Sequence, residues 1–100
     1  MENTSTTFLK ACSALEGAVL DLLSGSWEEA SRLRAHEMAV ALRHAAHASA
    51  WWDAESALKA VESLLALSPA EALAIRAAIG PRLLEYLGLL KQPSILSRSA

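Results

Sequence analysis

The side chains with the most chemistry to offer are three histidines, His36, His44 and His47, and one thiol, Cys12. His44 and His47 stand one helical turn apart, close enough to reach one tetrahedral ion. A structural site wants four ligands, and only a distant cysteine and scattered carboxylates accompany them, so the histidines are read as solvent-facing or capping groups. Cys12 falls in an apolar helical stripe, where a free thiol behaves as a small core hydrophobe. No serine sits in a G-x-S-x-G elbow. The expectation is no catalytic residue, no metal and no cofactor, and therefore no enzyme.

Within Ala45-Ala46-His47-Ala48, His47 is similar to the histidine of a phosphotransfer helix. Such helices carry Lys and Gly soon after the imidazole, whereas Ser49, Ala50 and Trp51 follow here, so a phosphotransfer module is the remote alternative. Tryptophan carries most of the aromatic content. Trp27 is expected to staple a hairpin turn and Trp51 to fill the opposite corner. Neighbouring positions on a helix are ~100° apart, so Trp51 and Trp52 cannot both face inward. Trp52 is the expected exposed anchor, since tryptophan is favoured at interfaces. Arg34 and Glu37, three apart on an otherwise Ala-rich arc, are expected to pair.

These residues need helices to position them. Ala and Leu supply 39 residues against three Val and three Ile, which favours helix over strand. Phe8, Cys12, Leu15, Val19 and Leu22 recur at spacings of four and three, one stripe of a first helix ending near Ser24. Leu9, Leu20 and Leu23 widen it, so this helix should touch two neighbours. Ser24-Gly25-Ser26-Trp27-Glu28-Glu29 reads as a tight turn, with Gly25 at positive φ and a capping box between Ser26 and Glu29. The second helix then starts at Trp27. A helical wheel places Ala30, Leu33, Met38, Ala41, Ala45 and Ala48 on its contact side and Glu29, Arg32, His36, Arg43 and His47 opposite.

No Gly or Pro lies between Ser26 and Leu67, but the apolar arc Ala54, Ala57, Leu58, Val61 and Leu65 is rotated by ~140° from that contact side, more than a straight helix absorbs. A break is expected between Ser49 and Asp53, with Asp53 capping the third helix. Ser68-Pro69-Ala70-Glu71 is a second capping box with Pro at the first helical position. The fourth helix carries Leu73, Leu84 and Leu87 beside a stripe that includes Ile79, Leu83, Tyr86 and Leu90. Gly80-Pro81 interrupts it, as a kink or as a full break. The fold expected is all-α: an antiparallel bundle of four helices, or five, over residues 1–91, with residues 92–100 a flexible tail from which Ile95 and Leu96 can dock back.

The class exclusions follow from composition. A net charge of −2 with scattered Lys and Arg offers no basic face, so nucleic acid is not an expected partner. No run approaches ~18 uninterrupted apolar residues, so no membrane span is expected either. The N-terminus lacks the charge and apolar run of a signal peptide, and one unpaired cysteine suits a reducing cytoplasm. At 53% hydrophobic, a chain of 100 residues has more apolar surface than a monomer comfortably hides. A protein partner or a homodimer is expected.

The run Leu22-Leu23-Ser24-Gly25-Ser26-Trp27-Glu28-Glu29-Ala30, followed by Glu37-Met38, resembles the turn and second helix of small bacterial flagellar type III export chaperones of the FliT kind. The resemblance implies an antiparallel helical bundle that holds an export substrate on a hydrophobic surface, with Trp27, Glu28 and Glu29 in the turn. The function expected is a non-enzymatic chaperone or adaptor whose partner surface is Trp52, Leu73, Tyr86, Leu87 and Leu90. The alternative is a homo-oligomeric structural bundle without a client.

Overall fold

In the computed structural model, which describes residues 4–25 and 27–96, the first stripe becomes the buried face of α1 (Thr4–Ser24). Phe8, Cys12, Leu15, Val19 and Leu22 are its buried residues, the set that the four-and-three spacing selects. Four further α-helices follow: α2 (Glu29–Ala48), α3 (Trp52–Leu65), α4 (Pro69–Ala74) and α5 (Arg76–Leu89), then a 3-10 turn at Pro93–Leu96. The described residues contain no strand, and the fold is an antiparallel all-α bundle.

The chain folds back between α2 and α3 as the change of phase requires, but the buried face of α2 is not the one the wheel selected. Ala35, Ala39, Leu42 and Ala46 are buried. Ala30, Leu33, Ala41, Ala45 and Ala48 are exposed. The wheel treated Arg32 and Arg43 as solvent groups, whereas their stems lie along the contact and their heads reach α3. Arg32 Nη1 donates to the Leu65 carbonyl at 2.7 Å, and Arg43 Nε lies 2.5 Å from Glu62 Oε2. Measured from the true face, the phase shift into α3 is about 90°, still enough to force a break.

That break is built from backbone. Trp51 N–H donates to the Ala46 carbonyl at 2.9 Å and Ala50 N–H to the His47 carbonyl at 3.1 Å, the paired bonds of a Schellman motif. The motif needs a left-handed residue, and Ala50 supplies it at φ 58°. Trp51 is the N-cap of α3, and Asp53, expected there, lies in the first turn instead, where its charge still suits the helix dipole.

The first turn departs from expectation in a similar way. Ser26 lies outside the described residues, so its part in a capping box does too. Helix α2 starts at Glu29 with Glu28 as N-cap, and Glu29 spends its carboxylate on Arg32, with 3.0 Å between Arg32 Nε and Glu29 Oε2. No glycine has positive φ; Trp27 takes that conformation, at 57°. Arg34 and Glu37 are both exposed, and no ion pair joins them; with both side chains in water such a pair gains little over solvation.

The fourth segment divides into two helices, at Ile75 rather than at Gly80-Pro81. Ile75, at φ −118° and ψ 21°, leaves helical geometry and lets α5 restart, so that Pro81 falls within its second turn. The carbonyl that Pro81 cannot pair is that of Ala77, an exposed residue open to water. The Ser68–Glu71 capping box forms in full: Glu71 N–H donates to Ser68 Oγ and Ser68 N–H to Glu71 Oε1, both at 3.2 Å.

At one end of the bundle lie the start of α1, the α2–α3 corner and the end of α5, with Phe8 and Trp51 ring centroids 5.0 Å apart. At the other lie the end of α1, Trp27, α4 and the start of α5. Part of the expected flexible tail is packed: Ile95 is buried, and the 3-10 turn rests on α3. Residues 97–100 lie outside the described residues.

Candidate docking surface

The chemistry-bearing side chains are spread apart or sealed. Burial pushes the Cys12 thiol up to about 11, so it stays protonated inside α1's packed stripe. His47 Nδ1 lies 2.8 Å from Glu55 Oε2 and its ring meets the Trp52 ring edge-on, with 5.5 Å between centroids. Among the described residues no group of three or more His, Cys, Asp and Glu is placed to hold a metal ion.

The five residues expected to form one partner surface are not brought together. Trp52 is exposed at the α2–α3 corner against His47, and Tyr86 lines a separate hollow with Asp53, Ser56 and Ile95. Leu73 is the most exposed of the large apolar residues described, at 69%. Leu87 and Leu90 are each only 2% exposed and belong to the core, together with Ile79 and Leu83. The expectation failed there because the buried stripe of α5 runs Ile79, Leu83, Leu87, Leu90, at spacings of four, four and three. The helical pattern alone puts Leu90 on this stripe and Leu87 on the neighbouring face.

A different apolar surface emerges along the seam between α1 and α5. Two markers fix how these helices pass one another: Lys91 Nζ lies 2.5 Å from Glu16 Oε2, and a side chain grown on Gly80 would meet Leu23 Cδ2 at 3.8 Å. The helices therefore run antiparallel. Leu20 falls between the two markers on α1 and Leu84 between them on α5, and they remain 46% and 43% exposed. The seam is thinly packed compared with the α2–α3 and α1–α2 contacts. Sequence reasoning found the width of the α1 stripe at Leu20 and Leu23 but had no signal for which flank stays uncovered.

At its far end the seam opens into a pocket of about 270 Å³. Leu22 and Leu23 come from α1, Trp27 from the turn, Pro69, Ala70, Ala72 and Leu73 from α4, and Ile79 from α5. No lining residue carries a charge. Helix α4 forms the outer wall; it is six residues long and buries only Ala72. Trp27 is 8% exposed, and its Nε1 has no hydrogen-bond partner among the described residues. Exposed leucines leading to an uncharged pocket make a surface suited to apolar recognition and offer no group for acid–base or nucleophilic chemistry.

Compared with family models, with curated proteins and with solved structures, the chain matches none. No helix among the described residues is long and apolar enough to cross a membrane.

Proposed function

We propose that this chain is a non-enzymatic chaperone or adaptor that holds an apolar stretch of a partner polypeptide along the α1–α5 seam. The observation that carries the reading is the line of exposed leucines, Leu20, Leu84 and Leu73, leading into an uncharged pocket. Helix-in-groove recognition uses this kind of surface: apolar anchors of an incoming helix fill a trough between two helices. The resemblance at residues 22–30 and 37–38 supports flagellar or type III export as the setting, with an export substrate as the client.

The test is stoichiometric capture of a partner by the full chain, compared with Leu20→Asp/Leu84→Asp. The expected result is binding weakened about 30-fold or more, as for loss of interface hot spots. Because both residues are half-exposed, stability should change by only about 0.5 kcal/mol per site. Equal capture by both proteins would overturn the assignment.

Self-association is favoured by one specific feature, the exposed Ala30, Leu33, Ala41, Ala45 and Ala48 on the outward face of α2. Light scattering separates the two readings. A monomer mass supports the adaptor, and a doubled mass abolished by Leu33→Asp supports the homo-oligomer.

A further inference from the structure

Trp27 carries two irregularities at once. Its backbone sits at φ 57°, the left-handed region that a bulky side chain rarely adopts. Its indole nitrogen is shut off from solvent, with no acceptor in reach among the described residues. Native chains seldom leave a buried donor unpaired, and backbone strain collects where a ligand or a switch makes use of it. Both irregularities belong to the residue that walls the pocket beneath α4.

The rest of the pocket narrows what it can take. Leu22, Leu23, Ala72, Leu73 and Ile79 offer no charge, so an ionised ligand would lose its hydration without gaining a partner. The only polar side-chain atom on these lining residues is Trp27 Nε1, covered in this conformation and left over for one acceptor. Helix α4 is bounded by helix breaks at Ala66 to Ser68 and at Ile75 and buries a single alanine, so the outer wall can move at little cost.

We propose that this pocket binds a small uncharged molecule with an apolar body and one acceptor oxygen, of the ketone, ester or ether class. Its oxygen takes the Trp27 indole N–H as α4 moves outward. The carbonyls of a docked helix are spent within that helix, and among the mainly apolar side chains only tyrosine ends in an oxygen acceptor, so a lone enclosed donor suits a small molecule better than a docked helix. The inference stands on Trp27 and holds whether or not a protein docks along the seam.

The test uses the full chain labelled with nitrogen-15, whose three indole N–H resonances are followed during titration with acetophenone and with cumene, its hydrocarbon counterpart of equal heavy-atom number. Trp27→Phe assigns the Trp27 resonance. Acetophenone is expected to move that proton downfield, while cumene and N-acetyltyrosinamide leave it in place. The ratio of acetophenone to cumene affinity is expected to fall about 3–10-fold in Trp27→Phe, the range for loss of one hydrogen bond. A Trp27 resonance unmoved by acetophenone, or moved alike by cumene, would overturn the proposal. So would an unchanged affinity ratio, or a response to N-acetyltyrosinamide alone, which would mark a peptide anchor instead. If Trp27→Phe does not fold, the wild-type resonances decide the question, with assignment by elimination through Trp51→Phe and Trp52→Phe. Partner capture along the seam is read separately, through Leu84→Asp.

Discussion

Among the described residues two adopt left-handed backbone without being glycine, Trp27 and Ala50. Ala50 sits at the C′ position of a Schellman motif, where glycine is the usual occupant, and gains nothing from its methyl group there. Ala50→Gly should therefore stabilise the fold by about 0.5–1 kcal/mol, the relief of the left-handed conformation less the added chain entropy of glycine. Urea or thermal unfolding reads this directly, and a lower midpoint would contradict it. Trp27 combines the same conformation with an indole buried at the pocket, so relief there by glycine would come at the expense of a buried aromatic. Neither site was legible in the sequence. Gly25, the residue that sequence logic nominates for positive φ, does not adopt it. Its amide returns to the Asp21 carbonyl at 3.1 Å, and an added Cβ would come within 3.3 Å of that same oxygen.

At the scale of the element, what could be read was what is local. The Ser68–Glu71 box depends on residues three apart and forms as its spacing requires. The stripe of α1 is likewise a matter of its own periodicity. Helix α2 was misread because its buried face consists mostly of alanine and is flanked by arginines whose partners lie on another helix. Arg32 is the clearest case, since it ends by capping the last turn of α3 at the Leu65 carbonyl. Only the tertiary arrangement reveals that an arginine is bridging rather than solvated.

Helix α4 gives the matching prediction. Hydrogen bonds from the Ser68 backbone and hydroxyl hold the Glu71 carboxyl below its ordinary range. A depressed folded pKa means stability present above the unfolded value and lost as pH falls through the folded one. Helix α4 should therefore loosen as pH falls below the ordinary glutamate range, seen as faster amide exchange of residues 69–74 while α1 stays protected. Ser68→Ala should cost about 1 kcal/mol of local stability at neutral pH and flatten that pH dependence. An unchanged pH profile in Ser68→Ala would show that the box does not hold α4.

For the whole molecule, the question is where the apolar excess goes. Part of it is sealed in a core running from Phe8 to Ile95, and part stays outside, on the outer face of α2, at the α2–α3 corner at Trp52, along the α1–α5 seam, and at Leu9 and Leu89. The seam differs from the others in leading to the pocket at Trp27. Covering three half-exposed leucines recovers on the order of 3 kcal/mol, below the ~4–15 kcal/mol cost of association. A stable complex along the seam would therefore need apolar surface beyond them, and Ile75, itself 43% exposed, offers it beside α4.

Hydrogen exchange of the chain with and without its captured partner tests this most directly. The account predicts slowed exchange around Leu20 in α1, around Leu84 in α5 and through α4, with the outer face of α2 unchanged. Protection confined to residues 30–48 of α2, or to the Trp52 corner, would contradict it.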